Sequence, residues 1–419
     1  MVVEYRALTA ETLADRLGTL GVLRERLGEP ARWRVREVGD GNLNLVFIVE
    51  GASGSAVVKQ ALPYVRLVGE SWPLPLRRSF FEYNALIRQA RRDPGSVPQV
   101  FHFDEGQALI VMEFLGEHII LRQGLIAGRR YPGLGRRLGL FCARTLFRGS
   151  DLSMTAADRK ADLALFAGNV ELCDITENLV FTDPYFTAPL NRHTDGLDRI
   201  VAALRSDLDL KVAAQHLKMA FASQAETMLH GDLHTGSVMV SGTDVRVIDP
   251  EFATYGPMGF DVGMLIANFL MAYLSQPGHA AASGREGYGE WVLAEAVAIW
   301  DSFATEFTHL WRTERTGMLY PASLYEDQGH GLAADLALTE RLGAIRRDAV
   351  GFCGVEIHRR ILGLAHNADF ERIADVPLRA ACEARALALG RLLVLARGSA
   401  CDVRAICDMA RQISGEDHL

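Results

Sequence analysis

The chain has 419 residues, of which 49% are hydrophobic and 23% charged, proportions typical of a globular protein with a large core rather than of a disordered chain. Its 44 Lys and Arg residues against 52 Asp and Glu residues give a net charge of −8, which argues against a nucleic acid or an anionic lipid surface as partner. At this length two lobes are expected.

Cysteine usage and the apolar stretches indicate the compartment. Six cysteines without a C-x-x-C pair or a repeated spacing predict neither a disulfide framework nor a zinc site. The first ten residues lack the apolar region of a signal peptide, and the apolar stretch 262–274 is shorter than the ~20 residues that a bilayer requires. The sequence therefore predicts a cytoplasmic protein without a membrane partner.

The N-terminal part reads as a small antiparallel sheet with one inserted helix. Its apolar periodicity and turn residues predict a helix at 9–27 with Thr9 as N-cap, strands at 33–38, 45–50 and 55–60, a helix at 76–91, and strands at 98–103 and 108–114.

A turn rich in glycine and asparagine, residues 39–44, precedes a strand that carries Lys59. Exposed backbone N–H groups in such a turn can hold phosphate, although most turns of this type only reverse the chain. An ammonium on the strand after that turn is what nucleotide phosphates require; the alternative is a solvated lysine. Glu82 on the following helix is the carboxylate best placed to pair with Lys59, and a solvated glutamate is the alternative.

Gly116 marks the change from strand to helical periodicity. We therefore expect an N-terminal lobe over residues 1–115 and a mostly helical C-terminal lobe over residues 116–419. The connecting residues Glu113, Phe114 and Leu115 are expected to bind an adenine edge through their backbone groups. Helical patterns cover 121–226, with a break at Asp183-Pro184, and then 260–273, 291–311, 332–366, 377–396 and 401–413.

The stretch 230–251, HGDLHTGSVMVSGTDVRVIDPE, places Asp232 before a predicted hairpin and Asp249 with Glu251 after it. Strands at 238–240 and 245–248 flank a Ser-Gly-Thr-Asp turn. A hairpin of this length brings its two acidic ends together, and crowded carboxylates repel one another unless a cation or a proton lies between them. The pattern predicts a Mg²⁺ site.

Other interpretations of this stretch are structural. His230 and His234 have the spacing of a zinc pair on a helix, but Gly231 and the Thr-Gly after His234 argue against a helix. We expect His230 to pack under the loop and to hold its backbone by hydrogen bonds. Asp232 alone would be a turn aspartate, and Asp249-Pro250-Glu251 alone a turn that ends a strand.

His230-Gly231-Asp232-Leu233-His234, followed by an aspartate on the next strand, resembles the loops of protein-kinase-like small-molecule phosphotransferases such as the choline kinases and aminoglycoside phosphotransferases. The resemblance extends furthest to the methylthioribose kinases. Its motifs, which run from residue 40 to residue 366, are Asp40-Gly41-Asn42-Leu43-Asn44-Leu45-Val46-Phe47, Val58-Lys59-Gln60-Ala61, Gly69-Glu70-Ser71-Trp72-Pro73, HGDLHTGS, Asp249-Pro250-Glu251-Phe252-Ala253 with Tyr255-Gly256-Pro257, and Arg359-Arg360 with Gly363-Leu364-Ala365-His366.

The resemblance implies an α+β, bilobal protein-kinase-like fold and an ATP- and Mg²⁺-dependent homodimeric kinase. Such an enzyme phosphorylates the anomeric 1-hydroxyl of 5-methylthioribose to the 1-phosphate in methionine salvage. In the catalytic part, Asp232 would accept or orient the proton of the attacking hydroxyl, and Asp249 and Glu251 would hold Mg²⁺. Nucleotide would be bound by Asn42 over the phosphates, Lys59 on the α- and β-phosphates, 113–115 at adenine, and the run Asp249-Pro250-Glu251.

The sequence departs from the protein-kinase pattern in two places, and the resemblance implies three residues near the substrate. Ser237 stands where protein kinases carry a metal-binding asparagine, so Glu251 is expected to take that role, and the 40–44 loop lacks G-x-G-x-x-G. Arg359 and Arg360 are expected at the sugar, with at most one aimed into the site because neighbouring helix residues point about 100° apart; a solvated helix face is the alternative. Trp72 is expected either to close over the substrate or to anchor the core.

Two further functions are compatible with parts of this pattern. A related kinase would act on choline, homoserine or an aminoglycoside, but choline requires an aromatic and acidic cage, and the paired arginines argue against it. A nucleotide-binding pseudokinase would have lost one of the key residues, whereas Lys59, Asp232, Asp249 and Glu251 are all present.

Overall fold

The computed structural model describes residues 4–39, 43–65, 69–279, 285–398 and 402–415. The chain forms two compact units, each assembled from two separate segments. The first unit comprises Met1–His118 and Arg246–Ala253, and the second comprises Ile119–Val245 and Thr254–Leu419. The short segment 246–253 thus folds with the N-terminal residues.

The first helical pattern is realised as two helices, α1 (Ala10–Leu17) and α2 (Gly21–Leu27). The prediction of one helix over 9–27 is wrong, because Gly18 ends α1 and glycine is a poor residue for continuing a helix. Thr9 caps α1 as predicted, since its side chain accepts a hydrogen bond from a backbone N–H three residues on.

Antiparallel strands form the centre of the first unit. In chain order the strands are β1 (Arg34–Glu37), β2 (Asn44–Glu50), β3 (Ser55–Ala61), β4 (Tyr64–Val65), β5 (Gly69–Pro73), β6 (Val100–Asp104) and β7 (Leu109–Glu113). Among the described residues a five-stranded sheet has the order β1-β2-β3-β7-β6, and α3 (Arg78–Arg92) lies in sequence between β5 and β6. The predicted α+β class is confirmed. The small hairpin of β4 and β5 was not anticipated from the sequence.

Burial on one side of the sheet explains why these strands form. Phe47, Val49, Val58 and Val111 share a buried cluster with leucines of α1 and α2. Alternate residues of a strand point to opposite faces, so the residue after Val58 faces away from this cluster. Lys59 therefore lies on the other face of the central strand, where it pairs across with Val46 and Ile110.

The second unit is mainly helical. Its short strands are β8 (Ile119–Ile120), β9 (Thr227–Met228), β10 (Val238–Ser241), the first half of β11 (Asp244–Val247), whose last two residues belong to the first unit, and β12 (Tyr255–Gly256). Its helices before residue 227 are α4 (Leu121–Ile126), α5 (Leu134–Arg148), α6 (Ala156–Phe166), α7 (Val170–Phe181), α8 (Asp198–Ser206) and α9 (Leu208–Ser223). The later helices are α10 (Gly259–Leu274), α11 (Gln276–His279), α12 (Tyr288–Thr313), α13 (Gly331–Leu362), α14 (Ala368–Glu371), α15 (Val376–Leu395) and α16 (Val403–Ser414).

Two central helices, α10 and α13, approach each other closely through glycine. A Cβ at Gly263 would lie 2.4 Å from the carbonyl oxygen of Ala349, and one at Gly259 would lie 2.7 Å from the backbone nitrogen of the same residue. Contacts this short leave no room for any side chain. The absence of Cβ atoms at Gly259 and Gly263 therefore allows α13, which carries the paired arginines, to pack this closely against α10.

Two findings bear on the compartment predictions. Among the described helices, none is both long and apolar enough to cross a bilayer. Cys142, Cys173, Cys353, Cys382 and Cys407 are free thiols.

Candidate active site

Lys59 is buried and ion-paired in the first unit. Its Nζ donates to Glu82 Oε1 at 2.8 Å and also contacts Asp249 Oδ1. Only 8% of the lysine is exposed, so the alternative of a solvated lysine is wrong. Glu82 is likewise buried. Of its two alternatives, pairing with Lys59 is therefore correct and a solvated glutamate is wrong.

The charges around Lys59 determine its protonation state. Burial acts to lower the pKa of Lys59, but Asp249, Glu82 and Glu251 together raise that pKa above its usual value. Burial next to other carboxylates raises the pKa values of Glu82 and Glu251. Two cations, Lys59 and the nearby Arg78, thus face three carboxylates, and additional positive charge would be stabilised here.

Glu251 is held in place by buried polar side chains of the first unit. Its Oε2 accepts from Asn44 Nδ2 at 3.1 Å and lies 3.5 Å from Arg78 Nε. Arg78 is fully buried and also donates to the carbonyl oxygen of Leu43 at 2.6 Å and to Asn44 Oδ1 at 3.1 Å. Leu43 and Asn44, the last residues of the glycine-rich turn, are therefore linked by hydrogen bonds to Arg78 and to Glu251, the predicted metal ligand. Pro250 is buried beside it.

Asp249 differs from Glu251 in exposure and backbone conformation. Its carboxylate is 47% exposed, and its φ of +73° lies in the left-handed region, which aspartate tolerates better than most residues. The residues present fit Mg²⁺, a hard cation that proteins usually bind through one or two carboxylates together with substrate phosphates. No group of three or more His, Cys, Asp or Glu side chains in the described part of the chain has metal-site geometry, so a cation here would depend on phosphate oxygens.

In the connector Glu113, Phe114 and Leu115, some backbone groups are hydrogen-bonded to other backbone groups of the described residues and some are not. The N–H of Glu113 donates to the carbonyl oxygen of Gln99 at 2.8 Å, and the carbonyl oxygen of Leu115 accepts from His118 at 3.0 Å. Among the described residues the N–H groups of Phe114 and Leu115 have no backbone partner. These two N–H groups are the donors that the connector can offer an adenine edge.

The structure does not show Asn42 or Trp72, two of the predicted ligand-binding residues, next to the other predicted site residues. Asn42 lies outside the described residues. Trp72 lies on β5, next to the pairing of Tyr64 with Pro73, and its side chain is partly buried. Since it does not belong to the buried core, the alternative of a core anchor has no support.

The loop that carries Asp232 lies in the second unit and is fixed by α10. The Asp261 carboxylate accepts from the backbone N–H of His230 at 2.7 Å and of Gly231 at 3.1 Å. Gly231 has a φ of +86°, a conformation that favours glycine. The buried His230 accepts the N–H of Asp232 on Nδ1 at 3.3 Å, so it holds the loop backbone as predicted.

Arg359 and Arg360 both reach the same oxygen of Asp232. Arg359 Nη1 lies 3.1 Å and Arg360 Nη2 3.2 Å from Oδ1. The prediction that at most one arginine aims into the site is wrong, and so is the alternative of a solvated face. The reason is Glu356, whose fully buried carboxylate accepts from Arg360 Nε at 2.6 Å and from Arg359 Nη1 at 3.2 Å. Glu356 lies about one helical turn before the two arginines on α13. Its carboxylate therefore binds both guanidinium groups on the same side of the helix.

The surroundings of Asp232 keep its carboxylate ionised. Burial acts to raise the pKa of Asp232, but His234, Arg359 and Arg360 hold that pKa well below its usual value. An ionised carboxylate accepts hydrogen bonds only, so Asp232 can orient a hydroxyl group. A strongly lowered pKa makes it a weak proton acceptor before the transition state.

Several residues around this loop were not identified from the sequence. Glu356 is one, although its spacing of three and four from the arginines on a helix is a readable signal for ion pairs. Asn268 is another: its side chain accepts from Arg122 Nη2 at 2.8 Å and donates to Glu356 Oε1 at 3.3 Å. Nothing local in the sequence marks Asn268 or Arg122, because their partners lie far apart along the chain.

The chain was compared with known proteins. Residues 34–297 match the model of the phosphotransferase enzyme family. The methylthioribose kinase of Escherichia coli O45:K1 is 44% identical over 395 residues, which cover 93% of this chain and 94% of that relative. Methylthioribose kinase 1 of Oryza sativa subsp. japonica is 42% identical over 399 residues, which cover 94% and 92%. A solved glucosamine kinase in complex with glucosamine, ADP and inorganic phosphate is 16% identical with a TM-score of 0.48, over 93% of this chain and 87% of that one.

Proposed function

The chain belongs to the methylthioribose kinases, within the phosphotransferase enzyme family, and from this premise we propose that it transfers the γ-phosphoryl group of ATP to the 1-hydroxyl of 5-methylthioribose. The product is the 1-phosphate, an intermediate of methionine salvage. The observation that carries the proposal is an ionised Asp232 held by two buried arginines, because this arrangement can orient an acceptor hydroxyl and neutralise phosphoryl charge together.

Nucleotide binding is assigned to residues of the first unit. Lys59 contacts the α- and β-phosphates, since its ammonium is charged and fixed by Glu82. The N–H groups of Phe114 and Leu115, next to Glu113, take the adenine edge. Asn42 is assigned to the phosphates on the family resemblance alone.

The carboxylates of Asp249 and Glu251 would hold Mg²⁺, with Pro250 between them in the nucleotide-binding run. The cation, when bound, neutralises phosphate charge and orients the γ-phosphoryl group. Support comes from the excess of carboxylates around Lys59 and from the exposed position of Asp249. Glu251 takes the metal-binding role that an asparagine has in protein kinases. Ser237 occupies the position of that asparagine in this chain, and its hydroxyl donates to the carbonyl oxygen of Asp232 at 3.0 Å.

The acceptor side of the reaction is assigned to the second unit. Asp232 accepts the hydrogen bond of the 1-hydroxyl and receives its proton as the bond to phosphorus forms and the bond to the leaving oxygen of ADP breaks. A pKa held low by His234 and the two arginines fits a late proton transfer, after the phosphoryl group has largely left ADP. Positioning and charge neutralisation supply the rate enhancement, without a covalent enzyme intermediate.

The two arginines have different tasks in this proposal. Arg360 is anchored by two separate nitrogens, Nε on Glu356 and Nη2 on Asp232. Arg359 makes both contacts through Nη1, and its Nε is buried without a hydrogen-bond partner among the described residues. Arg359 is therefore the arginine with donors left for the substrate. Trp72 is retained as a substrate-side residue on the resemblance alone.

The test is ADP release from Mg-ATP in the presence of single acceptors. Purified protein is incubated with 5-methylthioribose and, in parallel, with ribose, choline, homoserine and an aminoglycoside. We expect ADP and a 1-phosphate only with 5-methylthioribose. Turnover with another alcohol alone would assign a different acceptor, and ADP release no higher than without acceptor would leave a nucleotide-binding pseudokinase.

The finer expectations belong to the same proposal. The protein acts on small molecules as a homodimer in the cytoplasm, without a nucleic-acid or membrane partner, and its lobes divide at residues 115 and 116. The net charge of −8 supports the absence of polyanionic partners. Sedimentation equilibrium at micromolar concentration should give twice the mass of the chain; the mass of a single chain would contradict the dimer.

A further inference from the structure

In the part of the chain that the structure describes, three donors approach the Asp232 carboxylate. Arg359 Nη1 and Arg360 Nη2 lie 3.1 and 3.2 Å from Oδ1, and His234 Nε2 lies 3.3 Å from Oδ2. An ionised carboxylate offers about four lone-pair sites, two on each oxygen. The arginines occupy both sites of Oδ1, and His234 occupies one of the two sites of Oδ2.

The loop backbone determines which nitrogen of His234 carries the proton. The N–H of Gly236 donates to Nδ1 at 2.9 Å, and a nitrogen that accepts a hydrogen bond carries no proton. The Ser237 hydroxyl lies 3.4 Å from the same nitrogen, but its proton goes to the carbonyl oxygen of Asp232 at 3.0 Å. The proton of a neutral ring is therefore on Nε2, directed at Asp232.

Burial, assisted by two neighbouring arginines, keeps the His234 ring neutral. Burial lowers the pKa of His234 to about 4, with Arg360 and Arg122 acting in the same direction and Asp232 opposing them. Arg122 is itself fixed by hydrogen bonds to Thr235 Oγ1 at 3.1 Å and to Asn268 Oδ1 at 2.8 Å. The imidazole is thus a neutral donor throughout the physiological pH range.

Gly236 supplies the space that the ring requires. A Cβ at this residue would lie 2.6 Å from Cε1 and 2.8 Å from Nδ1 of His234. The ring packs directly on the loop backbone, and only glycine permits this approach. The identity of residue 236 and the direction of the Nε2–H group are therefore linked.

We propose that His234 is a positioning residue for phosphoryl transfer, whose Nε2–H occupies one side of Asp232 Oδ2 so that the one remaining lone pair faces the acceptor hydroxyl. The acceptor reaches Asp232 from a single direction, which is what in-line transfer to one hydroxyl of a sugar requires. The identity of that acceptor rests on the proposed function; the arrangement of donors does not.

Two substitutions separate this role from a purely structural one. His234→Asn retains an oxygen near Nδ1 that accepts from Gly236 and removes the donor to Asp232. His234→Gln places an amide donor near Nε2 and loses the acceptor for Gly236. We expect kcat to fall at least about tenfold in H234N, the loss typical of one hydrogen bond to a charged group, with KM for ATP unchanged and most activity retained in H234Q. The reverse order, or equal losses in both variants, would show that His234 only supports the loop.

A measurement on the unaltered protein gives an answer that does not depend on the activity of the variants. Long-range ¹H–¹⁵N spectra of the imidazoles, with His234 assigned by its loss in H234N, should show an unprotonated Nδ1 and a protonated Nε2 at neutral pH. An Nδ1–H tautomer or an imidazolium would overturn the proposal. If the protein phosphorylates another alcohol instead, the proposed function fails while both tests remain valid with that acceptor.

Discussion

In the proposed mechanism the transfer depends on Asp232, and the contacts of this residue predict how its loss affects the enzyme. In Asp232→Asn the amide cannot receive a proton, and one side of it would present N–H groups to the arginines. We expect kcat to fall by about three orders of magnitude or more, as for other residues that act directly in the transition state.

ATP binding serves as the control for this variant. The residues assigned to the nucleotide lie in the first unit, so the affinity for ATP, measured by calorimetry, should remain within about twofold of the unaltered protein, a change worth only ~0.4 kcal/mol. Near-normal turnover of D232N would contradict the role given to the carboxylate.

The pKa shifts around Asp232 predict the pH dependence of kcat. A depressed carboxyl pKa means that the charge of Asp232 persists as the pH falls, until the pH reaches that lowered value. His234, with its pKa lowered to about 4 chiefly by burial, also keeps its state. At saturating Mg-ATP we therefore expect neither Asp232 nor His234 to contribute an acid limb to the kcat profile between about pH 8 and about pH 5. An acid limb centred near the ordinary histidine pKa of about 6.5 would show that the ring titrates in the working enzyme.

The different anchoring of Arg359 and Arg360 predicts different kinetic defects. A lysine at either position carries a single nitrogen and cannot reproduce the contacts of a guanidinium group. Arg359→Lys should raise the KM for the sugar about tenfold with less effect on the KM for ATP. Arg360→Lys should chiefly lower kcat, because Asp232 loses a fixed partner. Identical kinetic constants in the two variants would contradict the division of tasks.

At the scale of elements, the helix pair α10 and α13 connects the loop of Asp232 to the arginines. Asp261 on α10 holds the loop backbone, and Glu356 on α13 holds both guanidinium groups. Asn268 of α10 donates to Glu356 at 3.3 Å. The distance between the two helices therefore enters directly into the geometry of the site.

Gly263→Ala tests this coupling. Its Cβ would meet the carbonyl oxygen of Ala349 at 2.4 Å, so the helices must separate, at a cost of about 1–3 kcal/mol in the free energy of unfolding. We expect a lower midpoint of thermal unfolding together with a reduced kcat at temperatures where the variant is folded.

Gly343→Ala is the matched control on α13. Its Cβ would meet only the flexible end of Arg347 at 3.4 Å, and replacing a helical glycine by alanine stabilises by roughly 0.5–1 kcal/mol. This variant should unfold at the same temperature as the unaltered protein or higher, with unchanged kcat. If G263A behaved in the same way, helix spacing would not limit the site.

At the scale of the whole molecule, the predicted residues divide between the two units. Lys59, Glu113 to Leu115 and Asp249 to Glu251 belong to the first unit, and Asp232, Arg359 and Arg360 to the second. The segment Arg246–Ala253 folds with the first unit although it follows Asp232 along the chain. The residues proposed to bind metal and nucleotide are thereby collected in one unit, and those proposed to bind the acceptor in the other.

This division predicts a selective effect of metal removal. Chelation of divalent cations should abolish turnover and weaken ATP binding, because three carboxylates around one lysine otherwise repel the phosphates. Readdition of Mg²⁺ should restore both, as measured by ADP release and calorimetry. The thermal stability of the protein without nucleotide should change little, since Lys59 already neutralises part of the cluster. Turnover that survives chelation would contradict a metal role for Asp249 and Glu251.

The sequence by itself determined the α+β class and most of the helices and strands, and it supplied the motifs on which the proposed catalytic and metal residues rest. Apolar periodicity identifies buried faces because burial is the dominant local constraint. The loop 230–237 was readable for a related reason: its glycine and hydrogen-bonding residues stabilise contacts with near neighbours, such as His230 with Asp232.

Only the tertiary structure decided the contacts made over long sequence separations. The burial of Lys59 among three carboxylates and the pairing of both arginines with one aspartate depend on residues far apart along the chain, such as Lys59 and Asp249, which are 190 positions apart. The single helix expected at 9–27 was also corrected there. Sequence patterns report which face of an element is buried, but the partner that a charged side chain meets depends on how the elements pack. For that reason Asp232 was identified from the sequence, whereas the donors that fix its carboxylate were identified only in the folded chain.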